Sequence, residues 1–398
     1  MNRSGDKPIK PIVLHLAVDY PNVYRPENTV AVRNFIKANA DLDYFVIALT
    51  RTANPLKTGR IDGDGIGNES GSGIGDERVV SMRYWGLPFG ALLALSMFIV
   101  ALRVRREVKR RNIAPALVHA HKLTFEGLAG WWLARWLHVP LVLSVRGEAE
   151  SKVLRFKPLY RPLLQRVLTD ASRIYYVSAW FKPLLNRRFR IAQHKQKLLP
   201  NFVATREVAA ISAPQADRLL TVLDLNLYRK KGLDRLLPIF RDCLERYPDA
   251  HLDIVGRGEA PVIAEVQQLV NKLGLAKNVS LLGVMSNAAL QERLPSYVGM
   301  VLASHNETFG MVYVESLLAG VPILHSKGTG IDGFIDFVEA RVAVDPLDES
   351  SIRDGLLLLL DQQQPYCDWL SRNRARVLAE FDPRRYVGEY RELVLGSL

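Results

Sequence analysis

Cysteine is scarce in this chain of 398 residues: only Cys243 and Cys367 are present. Two thiols build neither a disulfide framework nor a zinc ligand set. Their rarity suits a reducing compartment. Long apolar runs are also missing. The most apolar stretch, Gly86 to Leu102, falls short of the roughly 20 residues that a membrane span needs, and Pro88 and Gly90 lie inside it. Met1 to Lys10 is polar and the first apolar run is of strand length, so no secretory leader is expected. No helix-turn-helix, zinc-finger or RNA-recognition pattern stands out, which sets nucleic acid aside as a partner. Acidic residues are in deficit: 41 Asp and Glu face 53 Lys and Arg, leaving a net charge of +12. A basic surface attracts phosphate-bearing partners such as nucleotides or anionic lipid.

What is present is a globular composition long enough for two α/β domains. Strand-length apolar runs alternate with helical stretches throughout. Ile12 to Ala17, Tyr44 to Leu49, Leu117 to His121, Leu141 to Val145, Ile174 to Ser178 and Lys197 to Leu199 read as strands of a first half. Leu219 to Leu225, His251 to Val255, Val279 to Leu282 and Met300 to Ala303 read as strands of a second. This alternation predicts doubly wound parallel sheets. Thr52 to Asp76 is dense in Gly, Asp, Asn and Ser and reads as a surface loop. Its Asp62-Gly-Asp-Gly lacks the spacing of a calcium loop. Val203 to Asp217 breaks the rhythm, so the expected division is 1–203, 204–380 and a terminal helix over 381–398.

The positive charge is uneven. Arg103, Arg105, Arg106, Lys109, Arg110 and Arg111 follow directly on the apolar stretch. Two readings stand side by side: a membrane-surface helix with basic residues on lipid phosphates, or a buried helix with a solvated basic end. His119 and His121 share one strand face. With no metal partner in view, buried hydrogen-bonded histidines are the expectation.

The stretch Met300 to Ile323 carries the most chemistry. A short apolar strand leads through Ser304 to Glu307 into a helix that Gly320 and Pro322 stop. Ligands of α/β units sit where such strands end. Gly310 lets a ligand approach the backbone, and free N–H groups at a helix start near Phe309 and Gly310 suit a phosphate. Glu315 has apolar neighbours one turn away on either side, an expensive position for an unpaired carboxylate. The plainer reading gives Glu307 to the helix dipole and pairs Glu315 with an Arg or Lys. Lys231-Gly232, beside a helix start, is well placed for a phosphate. Gly256-Arg257-Gly258 lacks the third glycine of a dinucleotide fingerprint and predicts a tight turn near a ligand.

Ser304-His-Asn-Glu-Thr-Phe-Gly310, followed by Val314-Glu-Ser-Leu-Leu-Ala-Gly-Val-Pro322, closely resembles the nucleotide-sugar motif of family-4 retaining glycosyltransferases with the GT-B fold. The resemblance implies two Rossmann-like domains facing a central cleft. It implies that Glu307 contacts the donor sugar or its phosphates, that Glu315 holds the ribose hydroxyls, and that Lys231 grips the diphosphate. Gly256 matches the family's Gly-x-Gly. Asn226 stands where the family carries an Arg, with Arg229 or Lys230 of the same loop as the expected substitute. Arg146-Gly-Glu148 stands where the family often has His-Gly-x-Asp. There Arg146 would stabilise a leaving phosphate or an anionic acceptor, or, on the plainer reading, form a surface salt bridge. The implied activity is metal-independent, retaining hexosyl transfer with no cofactor beyond the nucleotide-diphospho-sugar. The expected partners are that nucleotide sugar, a glycan or lipid-linked acceptor, and an anionic membrane surface. The expected setting is cytoplasmic, peripheral at the inner face of the cytoplasmic membrane, in polysaccharide synthesis. A sugar-nucleotide epimerase of the same fold and a non-catalytic nucleotide-sugar or membrane-binding protein are the rival readings.

Overall fold

Each apolar run read as a strand forms one, within a residue or two of its expected ends except Tyr44 to Leu49, which runs on to Thr52, and Leu219 to Leu225, where the strand stops at Val222 and a short 3-10 turn follows. The computed structural model describes residues 10–63, 78–87, 90–203 and 217–397. Most of the expected linker and half of the Asp62-Gly-Asp-Gly run lie outside these residues. In chain order the strands are β1 (Ile12–Ala17), β2 (Asp43–Thr52), β3 (Gly59–Asp62), β4 (Val79–Trp85), β5 (Pro115–Ala120), β6 (Leu141–Val145), β7 (Arg173–Tyr176) and β8 (Gln196–Leu198). Then come β9 (Arg218–Val222), β10 (His251–Val255), β11 (Val279–Gly283), β12 (Gly299–Leu302), β13 (Ile323–Ser326) and β14 (Arg341–Val344).

They make two sheets. The first has the order β3-β4-β2-β1-β5-β6-β7-β8 and is parallel but for the antiparallel edge strand β3. The second has the order β11-β10-β9-β12-β13-β14 and is parallel throughout. The central strands β5 and β6 are buried along their whole length. That is why they read as near-continuous apolar runs, each broken only by one polar residue, His119 or Ser144, rather than alternating ones. Among the parallel strands of each sheet the order changes direction once, between β1 and β5 and between β9 and β12. Such switch points are where open α/β sheets bind ligands, beyond the carboxyl ends of the strands.

The chain divides into two compact units. One contains the residues up to Val177, then Pro183–Phe202 and the terminal Pro383–Leu398; the other contains Ser178–Lys182 and Val203–Asp382. The helix Pro383–Leu395 opens on a proline, whose missing N–H costs nothing at a first helical position. It buries Tyr390 and Val394 in the core of the first unit, with Phe35, Tyr175 and Phe202. The second unit has its own core, in which helix Leu233–Cys243 and helix Glu349–Asp361 cover the sheet through Leu236, Phe240, Leu356 and Leu359.

Two expectations need revision. The segment Thr52 to Asp76 is not loop throughout: it carries the end of β2 and all of β3, a fully exposed strand whose polar sequence hides its pairing. The helix that takes in the second half of the apolar stretch spans Leu93–Arg110, and Leu93, Met97, Val100, Ala101, Val104 and Val108 are buried. Its apolar face is therefore core. Among the described residues no helix is long and apolar enough to cross a membrane.

Candidate active site

The switch point of the second sheet assembles the motif residues. The loop after β9 lies directly against the end of β12 because residue 232 is glycine. Gly232 adopts φ +76°, and a Cβ there would lie 2.3 Å from the Ala303 carbonyl oxygen. The His305 N–H donates to the Lys230 carbonyl at 2.9 Å and stitches the same two loops. This brings the Lys231 ammonium onto the Glu307 carboxylate as an ion pair, with side chains only 18% and 13% exposed. Two motifs 76 residues apart thus form one site.

Glu307 is fixed from several directions. Its N–H donates to Thr329 Oγ1 at 2.6 Å. Its carbonyl accepts from the Thr329 hydroxyl and from the Gly330 N–H, both at 2.9 Å. The Thr308 N–H reaches its carboxylate at 3.2 Å and the Ser304 hydroxyl at 3.4 Å. Helix Met311–Leu318 starts at Gly310, in a left-handed conformation, and no side chain caps its first turn. Its N–H groups therefore keep their capacity for an anion. The Phe309 ring is 1% exposed and packs edge-on against Phe334, so only the Phe309 backbone is available to a ligand. Tyr313 anchors the helix by donating its hydroxyl to the Leu302 carbonyl at 2.7 Å.

Glu315 is half-buried, and burial raises its carboxyl above the usual range. Its partner is the Asn287 amide, which donates at 3.1 Å, rather than the Arg or Lys of the plainer reading. A carboxylate held by one neutral amide retains acceptor capacity for ligand hydroxyls. Asn226 is occupied differently. Its side-chain oxygen accepts the Glu259 N–H at 2.8 Å, lacing the loop after β9 to the loop after β10. In that second loop Gly256 is obligatory: φ is +155°, and a Cβ would lie 1.7 Å from the Leu223 carbonyl oxygen. Arg257 pairs with Asp224 at 3.1 Å. Arg229 turns to Glu265 at 2.5 Å and to the Tyr228 hydroxyl at 2.9 Å, and so does not join Lys231 and Glu307.

Arg146 belongs to the first unit and is 5% exposed. Its guanidinium donates to the His121 carbonyl at 3.2 Å and to the Asn201 side chain at 3.4 Å. It thereby ties the end of β5 to the segment after β8. Around it lie groups that no sequence motif announces. Lys122 pairs with Asp19 at 2.7 Å across the switch point of the first sheet. The buried Glu126 carboxylate accepts the Val18 N–H at 2.7 Å, and burial, opposed by Lys122, pushes its pKa up to about 7. The buried Glu150 accepts the Leu123 N–H at 3.0 Å. Both glutamates lie in the first turns of their helices, Glu126–Leu137 and Glu148–Phe156.

His119 of β5 and His121 just beyond its end meet a third, His15 of β1, and the possible ligand atoms of the three lie within 4.8 Å of one another. Their nitrogens are engaged internally. His15 Nδ1 and His121 Nε2 share a hydrogen bond of 3.0 Å, while His119 meets Tyr390 and Ser144 at 2.9 Å each. Burial drives the His15 pKa down to about 3 and holds His119 and His121 well below their usual value, so the trio is neutral.

Comparison with known proteins agrees with this geometry. The family model described as Glycosyl transferases group 1 matches residues 211–376, and that described as Glycosyltransferase Family 4 matches residues 29–207. D-inositol 3-phosphate glycosyltransferase of Corynebacterium urealyticum is 24% identical over 92% of this chain and 90% of its own. Alpha-monoglucosyldiacylglycerol synthase of Acholeplasma laidlawii is 23% identical over 66% of this chain and 70% of its own. Among solved structures, sucrose-phosphate synthase of Thermosynechococcus elongatus superposes with a TM-score of 0.71 at 18% identity, covering 98% of this chain and 100% of that one. HepE of Anabaena, in complex with UDP and glucose, gives a TM-score of 0.67 at 16% identity, covering 98% and 100%. The two family models between them take in most of the chain, and the structural likeness gives the same two-domain fold. The chain belongs to the group 1, family 4 glycosyltransferases and is built from two Rossmann-like domains of the GT-B type.

Proposed function

We propose that the protein moves a hexose from a nucleotide-diphospho-sugar, with retention at the anomeric carbon and without a metal, to a lipid-linked glycan acceptor. The observation that carries the reading is the Lys231–Glu307 pair beside the uncapped start of helix Met311–Leu318. When the bond from the anomeric carbon to the phosphate oxygen breaks, negative charge grows on the diphosphate. A fixed ammonium and a row of helix N–H groups stabilise that charge where it develops. Donor binding would draw Lys231 from Glu307 to the phosphates and free Glu307 to orient the sugar hydroxyls. Glu315 would accept hydrogen bonds from the ribose. The new bond forms on the same face as the one that breaks, and the leaving phosphate oxygen takes the acceptor's proton. No side-chain base is then required.

The relatives support the substrate classes. The HepE structure is a complex with UDP and glucose, and a related mannosyltransferase of Mycolicibacterium smegmatis is named for GDP-mannose and phosphatidylinositol monomannoside. The Acholeplasma relative is named for a diacylglycerol glycolipid. A lipid-linked acceptor, used at the inner face of the cytoplasmic membrane in cell-surface polysaccharide assembly, accords with these names and with the net charge of +12.

The test is a thermal-shift and turnover screen of UDP-, GDP- and ADP-sugars on the wild type and Glu315→Ala. One nucleotide class should raise the melting temperature of the wild type and release free nucleotide diphosphate slowly, and Glu315→Ala should abolish the shift. Silence toward every nucleotide sugar would leave only the architecture in common with the family.

A further inference from the structure

At the basic end of helix Leu93–Arg110, Arg105, Arg110 and Arg111 are engaged with the protein's own groups, while Arg106 and Lys109 are exposed. Glu107 is 1% exposed and gathers Arg60, Arg110 and Arg111, the latter two at 2.6 Å. Arg111 also reaches Asp62 at 2.6 Å, and Arg105 lies over the Trp136 ring at 5.4 Å. These cations neutralise a buried carboxylate and cover an aromatic ring.

The opposite end of the same helix is different. Leu92 and Leu95 are 57% and 50% exposed. The Ala94 N–H donates to the Tyr160 hydroxyl at 3.2 Å, and a Cβ on Gly90 would touch the Lys157 side chain at 3.4 Å. These contacts lay the segment from Glu148 to Arg161 alongside. There Phe156 and Leu159 are 72% and 92% exposed, the ring of Phe156 under Arg155. The segment carries four cations, Lys152, Arg155, Lys157 and Arg161, against two acids, and one of those acids, Glu150, is buried.

We propose that Leu92, Leu95, Phe156 and Leu159, ringed by Lys152, Arg155, Lys157 and Arg161, form the surface by which the first unit docks on an anionic bilayer. The proposal deepens the membrane-associated part of the reading above. Apolar tips among cations match the two layers of a lipid boundary: acyl chains take the tips, and head-group phosphates take the ammonium and guanidinium groups. A second copy of this chain is a poor occupant, because it would set four cations against four.

The experiment is vesicle sedimentation of the full chain with phosphatidylcholine alone or mixed with phosphatidylglycerol, at low and high salt. The wild type should bind the anionic vesicles and release from them as salt rises. Phe156→Ser with Leu159→Ser should weaken that binding roughly tenfold or more. Lys152, Arg155, Lys157 and Arg161 all →Gln should do the same. A third set, Arg106, Lys109 and Arg110 all →Gln, should change it far less. Unchanged binding by either of the first two sets, or loss confined to the third, overturns the assignment. So does a solution dimer that Phe156→Ser with Leu159→Ser disperses. The donor thermal shift, measured on every variant, checks folding and separates the two readings. A chain that keeps the donor shift and ignores anionic vesicles sinks the docking surface alone, whereas loss of the wild-type donor shift sinks the transferase reading.

Discussion

Each unit holds an ion pair across the switch point of its sheet, and the two pairs serve different ends. In the second unit Lys231, after β9, meets Glu307, after β12. In the first, Asp19, after β1, meets Lys122, after β5. The topology is the same and the charges are reversed. What surrounds them differs more. The second unit's pair stands among glycines, Gly232, Gly310 and Gly330, all with positive φ, so backbone approaches closely. The first unit's pair is backed by Glu126, Glu150 and Arg146, which bond to the protein's own backbone and to Asn201. One switch point is furnished for a ligand. The other spends most of its polar capacity on holding loops.

Matched substitutions test that contrast most sharply. Lys231→Ala should lower turnover roughly 100- to 1,000-fold, the usual effect of removing a fixed charge from the site of a developing one, with little change in unfolding. Lys122→Ala should cost about 1–3 kcal/mol of stability through the exposed need of Asp19 for a partner, with donor affinity intact. Turnover assays and denaturant titrations would decide. A catalytic collapse in Lys122→Ala with unchanged stability would break the comparison.

Acid should expose the first unit next. His15, His119 and His121 have native pKa values below the unfolded value, so their contribution to stability is present above about pH 6.5 and is lost as pH falls below it. Glu126 acts in the opposite sense: with a native value of about 7, raised from 4.5, its contribution is present below pH 4.5 and lost as pH rises through 7. The buried Glu150, also raised by burial, acts in the same sense as Glu126. Between pH 6.5 and 4.5 three histidines oppose two glutamates, so acid destabilises, by roughly 1.4 kcal/mol per pH unit for each net proton. Amide exchange at pH 7 and pH 5.5 should show protection falling in β1 and β5 before β9 and β12, since among the described residues of the second unit His325 is the one histidine held as low, at about 4. Equal loss in both sheets would contradict the assignment.

The smallest effect is expected at residue 226. Asn226→Arg restores the charge that the family carries there and sacrifices one lacing bond to Glu259. Donor affinity measured by titration calorimetry should rise a few-fold, about 1 kcal/mol. A fall would mean that the lacing between the loops after β9 and β10 outweighs another cation.

The second unit was legible in the sequence because its site is written in contiguous motifs at strand ends. Glu307, Gly310 and Glu315 lie within nine residues, and Lys231-Gly232 sits at another strand-to-helix turn. The first unit's interior was less legible because its polar partners are remote in sequence. Nothing local joins His15 to His121, Val18 to Glu126, or Tyr390 to His119. Ten of the fourteen strands were visible as apolar runs; β3, β4, β13 and β14 were not, and for β3 the reason is that an exposed edge strand needs no apolar side chain. The apolar stretch before Arg103 held two meanings until burial separated them, because a core helix and a surface helix share one periodicity.

Tyr390 has one more consequence. It stands 1% exposed in the core of the first unit, against His119 and Phe35, yet it arrives on the helix Pro383–Leu395. On the ribosome the first unit is made first and completed last. It must wait, with part of its core uncovered, while the whole second unit is synthesised. Its early folding is therefore provisional, and a chain cut before Pro383 would lose order in β5, far upstream of the cut.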